Sequence, residues 1–330
     1  MPPLAQAGYH VVSYDQRGYG RTTGWDSSPW DKTNLAEFRV SQLVRDALSL
    51  VNRLGRKQVD CIVGHDFGGV TAAACPVMRP DVFKSAVHMS HPFHGSATLP
   101  FGPEGSTLKP GERPHDADIG ASLAALSPPR KHYKLYNSTQ AAAHDWDHPE
   151  QGLKEFLRGY IHLKSAKWAG NKPFSLAGFT APELAQMPNY YILPLDKTMG
   201  QAVADMMAGE DATASEAFLN DAALDIYVQE WSRTGFQGGL NWYRSATTPA
   251  VNRDDSLLFA NKKIEVPCTF ISGAQDWGNY QEPGAVENYA QNCTDFRGTT
   301  LIEGAGHWPQ QEQPEAVARA IIAFLKDAGI

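Results

Sequence analysis

One stretch limits what this chain can fold into more than any other: Val59-Asp-Cys-Ile-Val-Gly-His-Asp-Phe-Gly-Gly-Val70. A β-branched apolar run, Val59 to Val63, breaks at Gly64 and resumes as an Ala-rich helical segment from Val70 to Val77. Strand, tight turn and helix, with Gly64-His65-Asp66-Phe67-Gly68 at the bend, is the pattern of a nucleophile elbow, G-x-Nu-x-G. The central residue of such a turn holds a strained backbone conformation, and the flanking glycines remove side chains that would collide across it. Its side chain is lifted to the top of a sheet, beside backbone N–H groups at the helix start. Here that residue is an aspartate. A carboxylate attacks saturated carbon and forms an ester, which water then cleaves at the ester carbonyl. The choice leans away from esterases and lipases, whose nucleophile is serine.

The elements around the elbow alternate. Met1 to Gly8 reads as the tail of a helix, His10 to Tyr14 as a short buried strand, and Asp15-Gln-Arg-Gly-Tyr-Gly-Arg21 as a loop. Leu35, Phe38, Leu43, Val44, Ala47, Leu48, Val51 and Leu54 recur at helical spacing, and Gly55 closes that helix. Phe83 to Ser90 is a further buried strand. Strands alternating with helices imply an α/β fold, a mostly parallel sheet with helices on both faces. After His91-Pro92 the character changes. Pro- and Gly-rich sequence to about Pro114 leads into a mostly helical stretch rich in Tyr, Trp and Met, interrupted by a loop at Met187 to Pro194. The expected organisation is a core of residues 1–92 and 251–330, with 93–250 inserted as a helical cap. Strands at Val266 to Ser272 and Thr299 to Ile302, and an amphipathic helix at Pro314 to Leu325, complete the core.

A carboxylate nucleophile needs a base to activate water, and the base needs an orienting acid. Asp276 follows one late strand in Ser272-Gly-Ala-Gln-Asp276, and His307 follows the next in Gly304-Ala-Gly-His-Trp308. Both are loop positions at the carboxyl ends of strands, where open α/β sheets place their sites. The order Asp66, Asp276, His307 is the nucleophile–acid–base order of the α/β-hydrolase fold.

With these residues the chain resembles an α/β-hydrolase-fold epoxide hydrolase of the soluble type over nearly its whole length. The resemblance rests on Leu4-Ala-Gln-Ala-Gly-Tyr9, Asp15-Gln-Arg-Gly-Tyr-Gly20, Gly64-His-Asp-Phe-Gly-Gly69, Gly235-Phe-Gln-Gly-Gly-Leu-Asn-Trp-Tyr-Arg244 and Gly306-His-Trp308. It implies two cap tyrosines holding the epoxide oxygen: Tyr243, in Asn-Trp-Tyr-Arg, and Tyr133, in His132-Tyr-Lys-Leu-Tyr136, with Tyr136 as rival for the second role. Phe67, Trp242 and Trp308 are expected to line the substrate pocket. Asp66 would open the ring and His307, oriented by Asp276, would release a vicinal diol. Neither a metal nor an organic cofactor is required. The family pattern begins with strands for which nothing here matches, among them a central strand carrying His-Gly-x-Pro. The sheet is therefore expected to lack a strand between Val11–Tyr14 and Val59–Val63.

A hydrolytic dehalogenase shares the Asp, His, Asp set, but it needs a halide donor such as a Trp after the nucleophile, and the ring of Phe67 has none. A ligand-binding remnant without activity is the third reading. The net charge of −7 argues against nucleic acid, and no apolar run reaches membrane length. The expected partner is a small apolar epoxide, with a homodimer as the assembly to test. The cysteines (Cys61, Cys75, Cys268, Cys293) lack C-x-x-C spacing, and small buried thiols of a cytoplasmic protein are the plain reading. His144-Asp-Trp-Asp-His148 has a zinc-like i, i+4 pair without a third ligand, and reads as part of a solvated helix.

Overall fold

The computed structural model describes residues 1–97 and 116–330. Six strands are present among them: β1 (Ile62–His65), β2 (Ala86–Met89), β3 (Arg130–His132), β4 (Ile192–Pro194), β5 (Cys268–Gly273) and β6 (Phe296–Ile302). Four form a parallel sheet in the order β1-β2-β5-β6. Along β5 the side chains alternate, as a pleated strand requires. Cys268 and Phe270 join a cluster with Ala73 and Val77 of the elbow helix (Phe67–Met78), whereas Ile271 joins Val317, Ile321 and Phe324 of the last helix (Pro314–Asp327). Helices thus cover both faces, so that β2 and β5 are wholly buried.

The elbow is built from local sequence. The Asp66 N–H extends the parallel ladder to the Met89 carbonyl at 3.0 Å, and the chain then turns abruptly into the elbow helix. Asp66 makes this turn with φ +53 and ψ −119, outside the usual region for a residue with a side chain. Gly64 makes the turn compact: a Cβ there would lie 1.9 Å from the Gly68 carbonyl oxygen.

Between β2 and β5 the regular structure of the described chain is mostly helix, with its own apolar core around Phe156, Leu163, Leu184, Met199 and Leu224. The expected loop at Met187 to Pro194 is in part a strand. β4 pairs antiparallel with β3, and the Tyr133 N–H continues that ladder to the Tyr191 carbonyl at 2.8 Å. A short continuous apolar run bracketed by prolines reads equally as loop or short strand, and β3 supplies the partner that decides it. Part of the expected 93–250 insertion, residues 98–115, lies outside the described residues. At its other end one helix, Pro249–Leu258, runs across position 250. Its Asn252 and Asp255 side chains accept the N–H groups of Val40 and Ser41, at 3.1 and 2.9 Å, and cap the helix Val40–Arg53.

Two further expectations need correction. The helix from Leu35 is two pieces, a 3₁₀ turn (Leu35–Phe38) and Val40–Arg53, because Arg39 is extended. The expected buried strand at 10–14 is not a strand, and Val12 and Tyr14 are 43% and 37% exposed. An apolar run becomes a strand only beside an edge that takes its hydrogen bonds. These residues pair with none, and the outer edge of β1 is unpaired among the described residues. Cys61 lies just before β1 and is only half buried, unlike Cys268.

The close approach at Gly64 generates a stability test. Gly64→Ala should lose about 3 kcal/mol or fail to fold, since the clash is with backbone. Gly178→Ala, where a Cβ meets nothing within 4 Å, should stay within about 0.5 kcal/mol of the parent in urea unfolding.

Candidate active site

Asp66, Asp276 and His307 reach one point from three separate segments, each leaving the carboxyl end of a parallel strand. Asp66 follows β1, Asp276 follows β5, and His307 follows β6. The His307 Nδ1–H faces both carboxylate oxygens of Asp276 at 3.2 Å, and Nε2 lies 3.4 Å from Asp66 Oδ1. The imidazole therefore stands between two carboxylates. Asp276 is fixed by the Gly278 N–H at 2.7 Å and the Ser272 hydroxyl at 3.3 Å. Its side chain is fully buried and that of His307 is 5% exposed, while that of Asp66 keeps 40% of its surface open. Of the three, Asp66 is the one open to a reactant.

The charges settle by mutual support. Burial disfavours a charged imidazole, but the charge and hydrogen bond of Asp276, with the bond to Asp66, lift His307 to about 9. Burial pushes both carboxyls up, yet the imidazolium holds Asp66 well below the usual carboxylate range. It lowers Asp276 as well, helped by the Gly278 N–H. At neutral pH the arrangement is carboxylate, imidazolium, carboxylate. The neighbouring His65 is pushed down to about 4 by burial and the charge of His307. Neutral, it donates its Nε2–H to the His307 carbonyl at 2.6 Å.

The backbone of His307 is held just as firmly. Its N–H donates to the Lys164 carbonyl at 2.9 Å. Glu312 Oε1 accepts the N–H groups on either side, from Gly306 at 2.9 Å and Trp308 at 3.1 Å, while Oε2 accepts from Ala166 at 2.8 Å. One carboxylate thus ties the His307 loop to the inserted segment. The Lys164 ammonium lies 4.6 Å over the rings of Tyr160 and Tyr191, and its charge works against protonation of His307.

Two tyrosines of the inserted segment stand near this centre. Tyr133 begins the helix Tyr133–Asn137 and Tyr243 lies in Gln237–Thr247, with ring centroids 5.8 Å apart. The Tyr243 ring meets Phe67 edge-on at 4.7 Å. Burial, and then nearby charge that includes Asp66, raises both phenols well above their ordinary range, so they stay protonated. The Tyr133 hydroxyl donates to Gln281 Oε1 at 3.2 Å. Tyr136, the rival, is committed elsewhere: its hydroxyl donates to Asp145 Oδ2 at 2.8 Å and accepts the Met199 N–H at 3.2 Å.

Two segments singled out in the sequence meet here. Gly18, at φ +87, and Gly238 pass so closely that a Cβ on either would lie 2.4 Å from the other's carbonyl oxygen. The Trp242 indole seals this contact by donating to the Arg17 carbonyl at 3.0 Å. Trp242 is 3% exposed and packs with Phe38 and Leu43 against the Phe67 ring, so it backs that ring from the core side. Trp308 flanks His307 at 4.7 Å and donates its indole N–H to the Ile161 carbonyl at 3.1 Å. In the zinc-like stretch, Asp145 serves Tyr136, Asp147 Oδ1 accepts the Phe236 N–H at 2.9 Å, and Trp146 donates to Asn137.

Sequence reasoning missed Glu312, Gln281, His65 and Lys164. Of these only His65 sits in a motif already singled out, and the rest act through contacts distant in sequence. Glu312 provides a test. Glu312→Ala would leave three N–H groups without their acceptor and should lose about 3 kcal/mol in urea unfolding, with a fall in turnover as His307 loosens.

Known proteins resemble this chain over nearly its whole length. A model of the Alpha/beta hydrolase family matches residues 1–320. Epoxide hydrolase B of Mycobacterium tuberculosis is 30% identical over 98% of this chain and 86% of its own length. Epoxide hydrolase A of the same organism is 27% identical over 98% and 84%. Among solved structures, an epoxide hydrolase from an endophytic Streptomyces superposes with a TM-score of 0.72 at 26% identity, covering 98% of this chain and 83% of the other. Epoxide hydrolase I of potato (Solanum tuberosum), at 24% identity and a TM-score of 0.70, shares the fold over 99% of this chain and 87% of its own. A full-length family match, 30% identity across nearly the whole chain and a shared parallel sheet lead to one conclusion: this chain belongs to the alpha/beta hydrolase family, among its epoxide hydrolases.

Proposed function

We propose that this enzyme opens small apolar epoxides to vicinal diols through an ester on Asp66, under a cap formed by the segment between β2 and β5. The observation that carries this reading is the imidazole of His307 held between Asp66 and Asp276, with only Asp66 open to a reactant.

In the first half-reaction Asp66 attacks a ring carbon as the carbon–oxygen bond on the far side breaks. An epoxide is strained but its alkoxide is a poor leaving group, so a donor must meet the charge forming on oxygen. Tyr133 and Tyr243 are the proposed donors, and one gives its proton. Both phenols are held well above their ordinary range, so each enters the step protonated, with a hydrogen to present to the oxygen. In the second half-reaction His307 takes a proton from water, and the hydroxide adds to the ester carbonyl of Asp66. The Phe67 N–H, at the start of the elbow helix, is a donor for the resulting oxyanion. The diol leaves with the proton from His307, and the proton left on Asp66 returns to the phenolate.

The electrostatics separate the two steps. In the free enzyme Asp66 helps to keep His307 protonated, and a protonated imidazole is no base. Forming the ester removes the Asp66 charge and with it one of the groups that raise His307. The imidazole then loses its proton more readily, at the stage where a base is needed. The dehalogenase reading has the same triad but no use for the paired phenols, and the relatives named above are epoxide hydrolases.

A substitution and a pH series test this. His307→Gln should still form the ester and then stall, so that intact-protein mass spectrometry finds the substrate mass added. An unmodified protein after exposure to epoxide would count against it. In the wild-type chain, ester hydrolysis should rise with pH through one ionisation below the free-enzyme value of about 9 and then level off. Ester formation should show no acid limb down to about pH 5, because Asp66 is held below the ordinary carboxylate range. Stopped-flow tryptophan fluorescence resolves both phases.

A further inference from the structure

Tyr133 is boxed on nearly every side. Its N–H bonds the Tyr191 carbonyl at 2.8 Å, and its ring meets His132 at 5.1 Å, Tyr191 at 5.1 Å and Tyr243 at 5.8 Å. What stays adjustable is the direction of its hydroxyl proton, which here goes to Gln281 Oε1 at 3.2 Å. Gln281 is itself well placed to act on the site. Its N–H donates to the Trp277 carbonyl at 2.9 Å, closing the turn that Asp276 caps through the Gly278 N–H. The next pair repeats the contact, Lys134 Nζ reaching Glu282 Oε1 at 3.4 Å. Consecutive residues of the Tyr133 helix therefore dock on consecutive residues of the Asp276 loop.

A phenol has one proton. While Tyr133 donates to Gln281 it cannot donate to an epoxide oxygen, so substrate binding must break this bond. A carboxylamide carries an acceptor and a donor at nearly the same place, and half a turn of the group exchanges them. We propose that Gln281 is a positioning residue for Tyr133: it accepts the phenol proton in the free enzyme and, turned over, donates to the phenol oxygen once that proton serves the epoxide. In the second state its N–H stabilises the negative charge gathering on the phenol oxygen as the ring opens. A carboxylate cannot make that exchange, and an alkyl side chain can take neither part.

The inference rests on the role proposed for Tyr133, and the test separates the two. Ester formation and ester hydrolysis are timed in single turnovers of styrene oxide by the chain and its Q281E, Q281M, Y133F and double variants. Unfolding midpoints verify that each variant folds. Gln281→Glu should slow ester formation by about a hundredfold, increasingly so as the new carboxyl ionises, because it holds the proton that the epoxide needs. Gln281→Met should slow it by about tenfold, the loss of one hydrogen bond. Neither should change ester hydrolysis, and in the Y133F background neither should have any further effect. Should Q281E fail to fold, Q281M decides. Ester formation at the parent rate in the Gln281 variants, equal slowing of both half-reactions, or an effect that persists without the Tyr133 hydroxyl would each overturn the inference. If Y133F alone forms the ester at the parent rate, the role of Tyr133 falls and the inference falls with it.

Discussion

A single imidazole between two carboxylates is the interaction on which the rest of this structure depends. His307 has little exposed surface, and a charged ring so deep in a protein is unfavourable without opposite charge beside it. Asp276 and Asp66 supply that charge, and each is ionised because of His307 in turn. Removing His307 would leave two carboxylates without their counter-charge, and removing either carboxylate would weaken the hold on the imidazolium. A well-packed apolar trio is often as stable, so stability alone does not account for the arrangement.

Holding three groups to a few tenths of an ångström requires a rigid frame, and the parallel sheet provides it. Adjacent parallel strands deliver their carboxyl ends to one edge, so the loops after β1, β5 and β6 converge without long excursions. The loops are then locked individually: Asp66 by the compact turn at Gly64, Asp276 by the Gly278 N–H, and the His307 segment by Glu312. The segment between β2 and β5 is tied to the same points. Lys164 and Ala166 bond the His307 loop, and Tyr133 and Lys134 bond the Asp276 loop. Sheet edge and inserted helices therefore cannot shift separately without disturbing the site.

Much of this was legible in the sequence where the information is local. The glycine spacing around Asp66 dictates a turn whatever lies beyond it, and Asp276 and His307 stand just past strands recognisable from β-branched runs. Tyr243 was singled out only by the resemblance that Asn-Trp-Tyr-Arg carries, and Trp242 of that stretch donates to the Arg17 carbonyl. Tyr133 and Tyr136 are three residues apart on one short helix, and only their partners distinguish them: Gln281 for one, Asp145 and Met199 for the other. No periodicity could have assigned Glu312 its three N–H groups or Gln281 its phenol, because those bonds join segments that are distant in the chain. The strand expected at 10–14 failed for the same reason in reverse. Its residues have strand propensity, but a strand exists through its neighbour.

The central claim is covalent, that the oxygen delivered from water first enters the protein. A single turnover in ¹⁸O-water, with enzyme in excess over epoxide, followed by proteolysis and mass analysis of the peptide containing Asp66, addresses it directly. Hydroxide adding to the ester carbonyl puts one ¹⁸O into the Asp66 carboxylate and leaves the first diol unlabelled, which is the predicted result. Label in the diol with none in Asp66 would mean that water opens the ring directly, and would contradict the ester mechanism.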